Sequence, residues 1–98
     1  MIYHVITPAS WQQALANGFY EADSLASEGF IHASKESQLQ GVLERYYHHQ
    51  TDLLLLHINE NKLKTELRYE LAPSVNEIFP HIYGRLNLDA VEEVSKLP

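Results

Sequence analysis

Six histidines and no cysteine bound the chemistry open to this chain of 98 residues. Four of the histidines fall in separate apolar or aromatic runs: His4 in "IYHV", His32 in "GFIHAS", His57 in "DLLLLHI" and His81 in "FPHIYG". Imidazole changes charge near neutral pH and so serves as a general acid or base, but among apolar side chains it costs stability unless its nitrogens find partners. Taken singly, each reads as a half-buried strand histidine with a satisfied ring nitrogen. Taken together, His4, His32 and His81 are candidates for one proton-transferring site. His48 and His49 are neighbours on a predicted helix, point roughly 100° apart, and read as solvated residues near its C-terminus. The missing cysteines exclude disulfides, thiol nucleophiles and thiolate metal sites. No HExxH or HxH spacing occurs, so a metal-dependent hydrolase would have to gather its ligands from distant parts of the chain.

Two further stretches carry polar groups in a suggestive pattern. In "LRYE", Arg68 and Glu70 are two apart on a predicted strand and share a face. They form either a solvent-facing ion pair, or a carboxylate held by a guanidinium and ready to accept a hydrogen bond from a sugar hydroxyl. In "FPHIYGRLNL", Pro80 predicts an edge, a bulge or a strand start, and Gly84 a turn or close backbone approach. His81 and Tyr83 then share one face, with Phe79, Ile82 and Leu86 toward the core. No GxGxxG, GxxxxGK[ST] or GxSxG motif is present. Ser34, two residues beyond His32, is poorly placed as a nucleophile and is expected to cap the helix that follows.

These residues need a scaffold, and the patterning describes one. "MIYHVI" reads as a strand, and Thr7 and Pro8 open a helix that Gly18 stops. "FYEADSLASE" has no clear period and reads as irregular, "GFIHAS" as a strand, and "KESQLQGVLERYYHHQ" as a helix with its apolar stripe inward. The continuous "DLLLLHI" predicts a strand buried on both faces and central in a sheet. "TELRYELA" alternates with a period of two, turning Leu67, Tyr69 and Leu71 inward; "IFPHIYG" is another strand; and "RLNLDAVEEVSKLP" ends on a strand rather than a helix capped by Asp89. Early helices and late strands predict an α+β class and a single domain over residues 1–98. The formal net charge of -6 with no Lys/Arg run argues against a nucleic acid polymer as partner. No leader-like start or membrane-length apolar run is present, so the expected location is cytoplasmic. The expected partner is a small-molecule ligand, and the expected state a monomer or a weak homodimer through an exposed edge at "IFPHIY".

The set "IYHV", "GFIHAS", Gln38, "DLLLLHI", "LRYE" and "FPHIYGRLNLDAV" resembles, over nearly the whole chain, a family of small, mainly bacterial proteins, the domain of unknown function 952. Arg85 departs from the proline that many relatives carry there. That family in turn looks like a compact relative of the ADP-ribosyltransferase-like superfamily. The resemblance implies an α+β fold with two main helices and two small sheets forming a cleft. It implies NAD or ADP-ribose as a substrate, with no certain cofactor. His4 matches the superfamily's first-strand histidine that reaches a ribose, and Glu70 is the best match for its later glutamate; His32, Ser34, His81 and Tyr83 are implied as cleft residues. His4, His32, Glu70 and His81 are thus the expected catalytic set, and Ser34, Arg68, Tyr83 and Arg85 the expected ligand-binding set, the arginines meeting a pyrophosphate. The function expected is a histidine-rich cleft for a nucleotide-like or ribose-bearing small molecule, with glycosyl transfer or hydrolysis as its chemistry. A non-catalytic binding or interaction module of the same fold is the alternative, and a metal-dependent hydrolase the second.

Overall fold

The computed structural model describes residues 1–98. Its elements are β1 (Ile2–Ile6), α1 (Pro8–Asn17), β2 (Phe19–Tyr20), α2 (Asp23–Glu28), β3 (Ile31–His32), α3 (Leu39–Tyr46), β4 (Leu54–Ile58), β5 (Glu66–Ala72), β6 (Glu77–Tyr83), β7 (Leu86–Asn87) and β8 (Val91–Lys96). The class is α+β. Where the expectation was two small sheets, there are three antiparallel ones: β1-β4-β8, β3-β6-β5 and a two-stranded ribbon β2-β7.

The first helix follows its sequence signals. Thr7 Oγ1 accepts from the Ser10 amide at 3.1 Å, Pro8 occupies the first turn, and Gly18 ends the helix at φ 85°. The stretch expected to be irregular holds β2 and α2 instead. Helix α2 is only six residues long, with no side-chain cap hydrogen bond. Its C-terminus is closed locally: Gly29, at φ 88°, donates its N–H to the Leu25 and Ser24 carbonyls, and the Ser24 hydroxyl donates to the Phe30 carbonyl at 2.7 Å. Ser34 does not cap the next helix. Its amide and carbonyl pair with those of Tyr3 at 2.8 and 2.9 Å, an isolated bridge that ties β3's continuation to the outer edge of β1. Helix α3 is led in by a 3-10 turn, Glu36–Gln38, which the Gln38 side chain closes by accepting from the Lys35 amide at 2.9 Å.

Strand β4 is central in its sheet, between β1 and β8, and both its faces are covered. Leu54, Leu56 and Ile58 join the main core with Ile2, Ile6, Ile31 and Ile82, while Leu53 and Leu55 face Leu39, Leu43 and Tyr47 on the α3 side. That double coverage is why "LLLL" shows no alternation. The chain does end on a strand, after one 3-10 turn at Leu88–Ala90.

Strand β6 departs from its reading in two ways. It lies between β3 and β5, not at an edge, and Pro80 sits in its middle. Proline is tolerated because β3 is two residues long: Pro80's carbonyl accepts from Ala33 just past its end, and the missing N–H points to that same side, where the ladder has stopped. Phe79 also shares the face of His81 and Tyr83, since residues two apart on a strand point the same way. Ile82 and Leu86 are fully buried in the core as expected. Strand β5 is the edge of this sheet, so Tyr69 and Leu71 are more than half exposed rather than packed inside.

Candidate functional site

The sheets β1-β4-β8 and β3-β6-β5 meet at the Tyr3–Ser34 bridge and enclose a cavity of about 740 Å³ in the angle between them. His4 from β1, His32 from β3, His81 from β6 and Ser34 all line it. Val42 and Tyr46 of α3, with Tyr47 just past its end, close one side, and the end of β5 with the turn after it, Leu71 to Ser74, closes another. Three segments far apart in sequence, holding His4, His32 with Ser34, and His81, are therefore brought together.

His81 is the best-defined member. Only 7% of it is exposed, and its ring stacks on Phe30 with centroids 3.9 Å apart and planes 20° apart. Its Nδ1 donates to Glu70 Oε1 at 2.8 Å, and the Tyr83 hydroxyl donates to the same oxygen at 2.5 Å. The Tyr83 and His81 hydrogen bonds hold the Glu70 carboxyl below its ordinary pKa, so it stays ionised. With Nδ1–H committed to Glu70, Nε2 has no protein partner yet is not sealed from solvent; in a neutral ring it presents a lone pair to the cavity. A carboxylate behind an imidazole whose far nitrogen faces a cavity is a general-base arrangement.

His32 lies nearer the mouth, more than half exposed, with Nε2 donating to Glu28 Oε2 at 2.9 Å. Its ring meets that of His81 edge-on at 5.5 Å. Two histidine–carboxylate pairs thus stand side by side. His4 differs from both. Its Nδ1 must carry the hydrogen, because it lies 2.6 Å from the His32 carbonyl, which only accepts; Nε2 then accepts from the Tyr20 hydroxyl at 3.0 Å. Burial lowers its pKa to about 4 and raises that of Tyr20 to about 12, so His4 is neutral and Tyr20 protonated at neutral pH. Part of the His4 ring still faces the cavity. In this state it is a wall with a fixed tautomer, and both nitrogens are occupied.

The remaining candidates lie elsewhere. Arg68 does not pair with Glu70: it makes two hydrogen bonds to Glu66, at 2.8 and 3.0 Å, and its guanidinium lies 4.4 Å from the centre of the Tyr83 ring. Glu70, Arg68 and Tyr83 form a layer beside the cavity, reaching it through His81. Arg85 is outside, bonded to Glu21 at 3.1 Å and lying over Phe19 on the ribbon side. The cavity lining contains no lysine or arginine, so neither arginine meets a pyrophosphate held inside it. His57 is bonded to Ser95 at 2.8 Å and is structural, and no three His, Asp or Glu side chains converge to hold a metal ion.

Sequence reasoning missed Tyr20, Glu28 and Phe30. The first two lie in the stretch read as irregular. Had α2 been recognised, its final Glu28 four residues before His32 would have been a signal; no local pattern marks Phe30 as a stacking partner.

A family model described as a protein of unknown function, DUF952, matches residues 5–94. The chain belongs to the DUF952 family. Among solved structures this DUF952 chain is similar to protein CC0527 from Caulobacter crescentus. The crystal structure of that protein aligns with a TM-score of 0.89 at 30% identity, covering 99% of this chain and 85% of the other. Its solution NMR structure aligns at 0.84 and 30% identity, covering 98% and 83%. No curated protein matches the chain. No helix of this DUF952 protein is long and apolar enough to cross a membrane.

Proposed function

We propose that the cavity binds a ribose-bearing small molecule, its planar base against the aromatic lining and its sugar at the histidines, and that His81, backed by Glu70, is the general base for cleaving the glycosidic bond. The relation to ADP-ribosyltransferase-like enzymes is part of this proposal. The observation that carries it is the Glu70–His81 pair with Nε2 free toward the cavity. As the bond from ribose C1′ to the base breaks, the electron pair leaves with the base and positive charge builds on the sugar. Nε2 takes the proton of an attacking water or acceptor hydroxyl as the new C–O bond forms at C1′, and Glu70 stabilises the resulting imidazolium through Nδ1–H. His32, 5.5 Å from His81 between ring centroids, would be the acid: as the imidazolium it keeps Nε2–H on Glu28 and gives the Nδ1 proton to the departing base, while the proton taken by His81 leaves to solvent.

The lining favours the nucleoside part of a ligand over its phosphates, because no cation within the cavity would offset their charge. NAD or ADP-ribose would therefore leave its pyrophosphate outside, and a phosphate-free nucleoside should bind at least as well. Titrating adenosine, AMP, ADP-ribose and NAD while following thermal unfolding tests this. A ligand at about a hundredfold excess over its Kd stabilises the fold by about 2.7 kcal/mol, and His81→Ala should weaken that response. Glu70→Gln should keep binding and lower turnover by a factor of about 100 or more. No response to any of the four ligands would sink the reading. His4 favours a second reading, binding without turnover: the histidine matched to the catalytic superfamily is spent on internal hydrogen bonds. Ligand binding with no product, and no effect of Glu70→Gln, would decide for that second reading.

A further inference from the structure

Strand β5 is seven residues long, contains no proline or bulge, and forms the open edge of its sheet. The direction of its free backbone groups follows from Pro80. That residue's carbonyl turns away from β5 toward Ala33, so the opposed pair Tyr69–Pro80 is a non-hydrogen-bonded one. Tyr69 therefore points its own N–H and C=O outward, as do Leu67 and Leu71 by alternation, and none of the three bonds to backbone outside the ladder. A row of outward donors and acceptors on a straight edge is a template for another strand.

The side chains say which strand fits. Read about Tyr69, the sequence Leu67-Arg68-Tyr69-Glu70-Leu71 is its own complement in antiparallel pairing: leucine opposes leucine, tyrosine opposes tyrosine, and arginine opposes glutamate in both halves. The register centred on Tyr69 also makes positions 67, 69 and 71 the hydrogen-bonded pairs, and those are the residues whose backbone points outward. The two requirements are independent and agree. Tyr69, Leu71 and Ile78 are 51%, 55% and 50% exposed, and two copies would merge these apolar residues on one face of a six-stranded sheet. On the other face Glu70 has room for a new partner. Its Oε1 takes both His81 and Tyr83, while Oε2 accepts nothing and the side chain is 37% exposed.

We infer that this protein forms a two-fold homodimer by antiparallel pairing of β5 with β5 of a second copy, centred on Tyr69, with Arg68 of each copy on Glu70 of the other. Because Glu70 also backs His81, the interface would join the two candidate sites through their carboxylates, though it does not depend on what the cavity binds. Sedimentation velocity across a concentration series tests it. Wild type should reach twice the 11.3 kDa chain mass. Tyr69→Pro removes the central outward N–H without touching the bonds to β6, and Arg68→Glu sets like charges together; each should weaken the dimer by about tenfold or more. Combining Arg68→Glu with Glu70→Arg restores the opposition and should restore the dimer, a result that misfolding does not mimic. A wild-type chain that stays monomeric up to about millimolar concentration overturns the inference, as does a dimer that both single variants leave within about twofold. A weakened Arg68→Glu dimer that the exchange fails to rescue overturns the register.

Discussion

His4 shows how one side chain couples folding to pH. In the native chain its ring is desolvated and its pKa falls from 6.5 to about 4, whereas in the unfolded chain it titrates normally. Between those values the unfolded state binds the extra proton, so stability is complete above pH 6.5 and is lost as the pH falls toward 4. The whole shift would correspond to about 3 kcal/mol; because the ring keeps some contact with the cavity, about 2 kcal/mol is expected. Urea unfolding at pH 7.5 and pH 4.5 measures the loss, and His4→Asn should reduce the difference between the two pH values, whatever it does to absolute stability. Glu70 works in the same direction: its lowered pKa contributes stability that is also lost as the pH falls, starting from about the ordinary carboxylate value, near the acid end of the His4 window.

Among the elements, the junction of α3 with β6 decides whether the cavity has a wall. Gln38, only 6% exposed, makes it: Nε2 donates to the Ile78 carbonyl at 2.8 Å and approaches Glu77 at 3.4 Å, while Oε1 caps the Lys35 amide. One amide side chain thus starts the helix that carries Val42 and Tyr46 and pins it to the strand that carries Phe79 and His81. Gln38→Ala leaves the part-buried Ile78 carbonyl and Lys35 amide without these partners, and should cost about 1 to 2 kcal/mol in equilibrium unfolding. Gln38→Glu keeps the acceptor for the Lys35 amide but sets a carboxylate oxygen against the Ile78 carbonyl and the Glu77 carboxylate, so at neutral pH it should cost at least as much as alanine. Strand β6 makes a second point at this scale. Its proline lies in a middle strand because a neighbour two residues long leaves it locally at an edge, so strand length, and not only strand order, determines where proline is allowed.

For the whole molecule, sheet β1-β4-β8 acts as a partition between two hydrophobic clusters of unequal size. Leu56 and Leu55 are neighbours in sequence on opposite sides of it. Leu56, with no exposed surface, packs among Ile2, Ile31, Ile58 and Ile82 in the larger cluster; Leu55, 7% exposed, lies with Val5 and Leu53 in the smaller. Leu56→Ala is expected to cost about 2 to 5 kcal/mol, with Leu55→Ala toward the lower end of that range, as judged by denaturant midpoints at constant m. Native stabilities are themselves about 5 to 15 kcal/mol, so Leu56→Ala removes a large share of what holds the sheets, and the cavity between them, in place.

Local chemistry was legible in the residues themselves. Thr7, Pro8 and Gly18 marked α1, the unbroken leucines of β4 marked a strand covered on both faces, and the final segment read correctly as a strand, because capping, proline geometry and face coverage act over a few residues. His4, His32, Ser34 and His81 could be singled out, since a polar ring in an apolar run needs a partner wherever it lies. Which partner each one has was settled only by the tertiary structure. Glu70 could have paired with Arg68 on its own strand; the cross-strand approach of β6 gave it His81 and Tyr83 instead. Short α2 has a glycine cap at its end but no side-chain cap at its start and no apolar period, so its sequence alone did not mark it as a helix. The cavity, the commitment of both His4 nitrogens and the free Nε2 of His81 depend on how two sheets meet at Tyr3 and Ser34. No window of sequence contains both of those residues, and that contact sets the angle between the sheets.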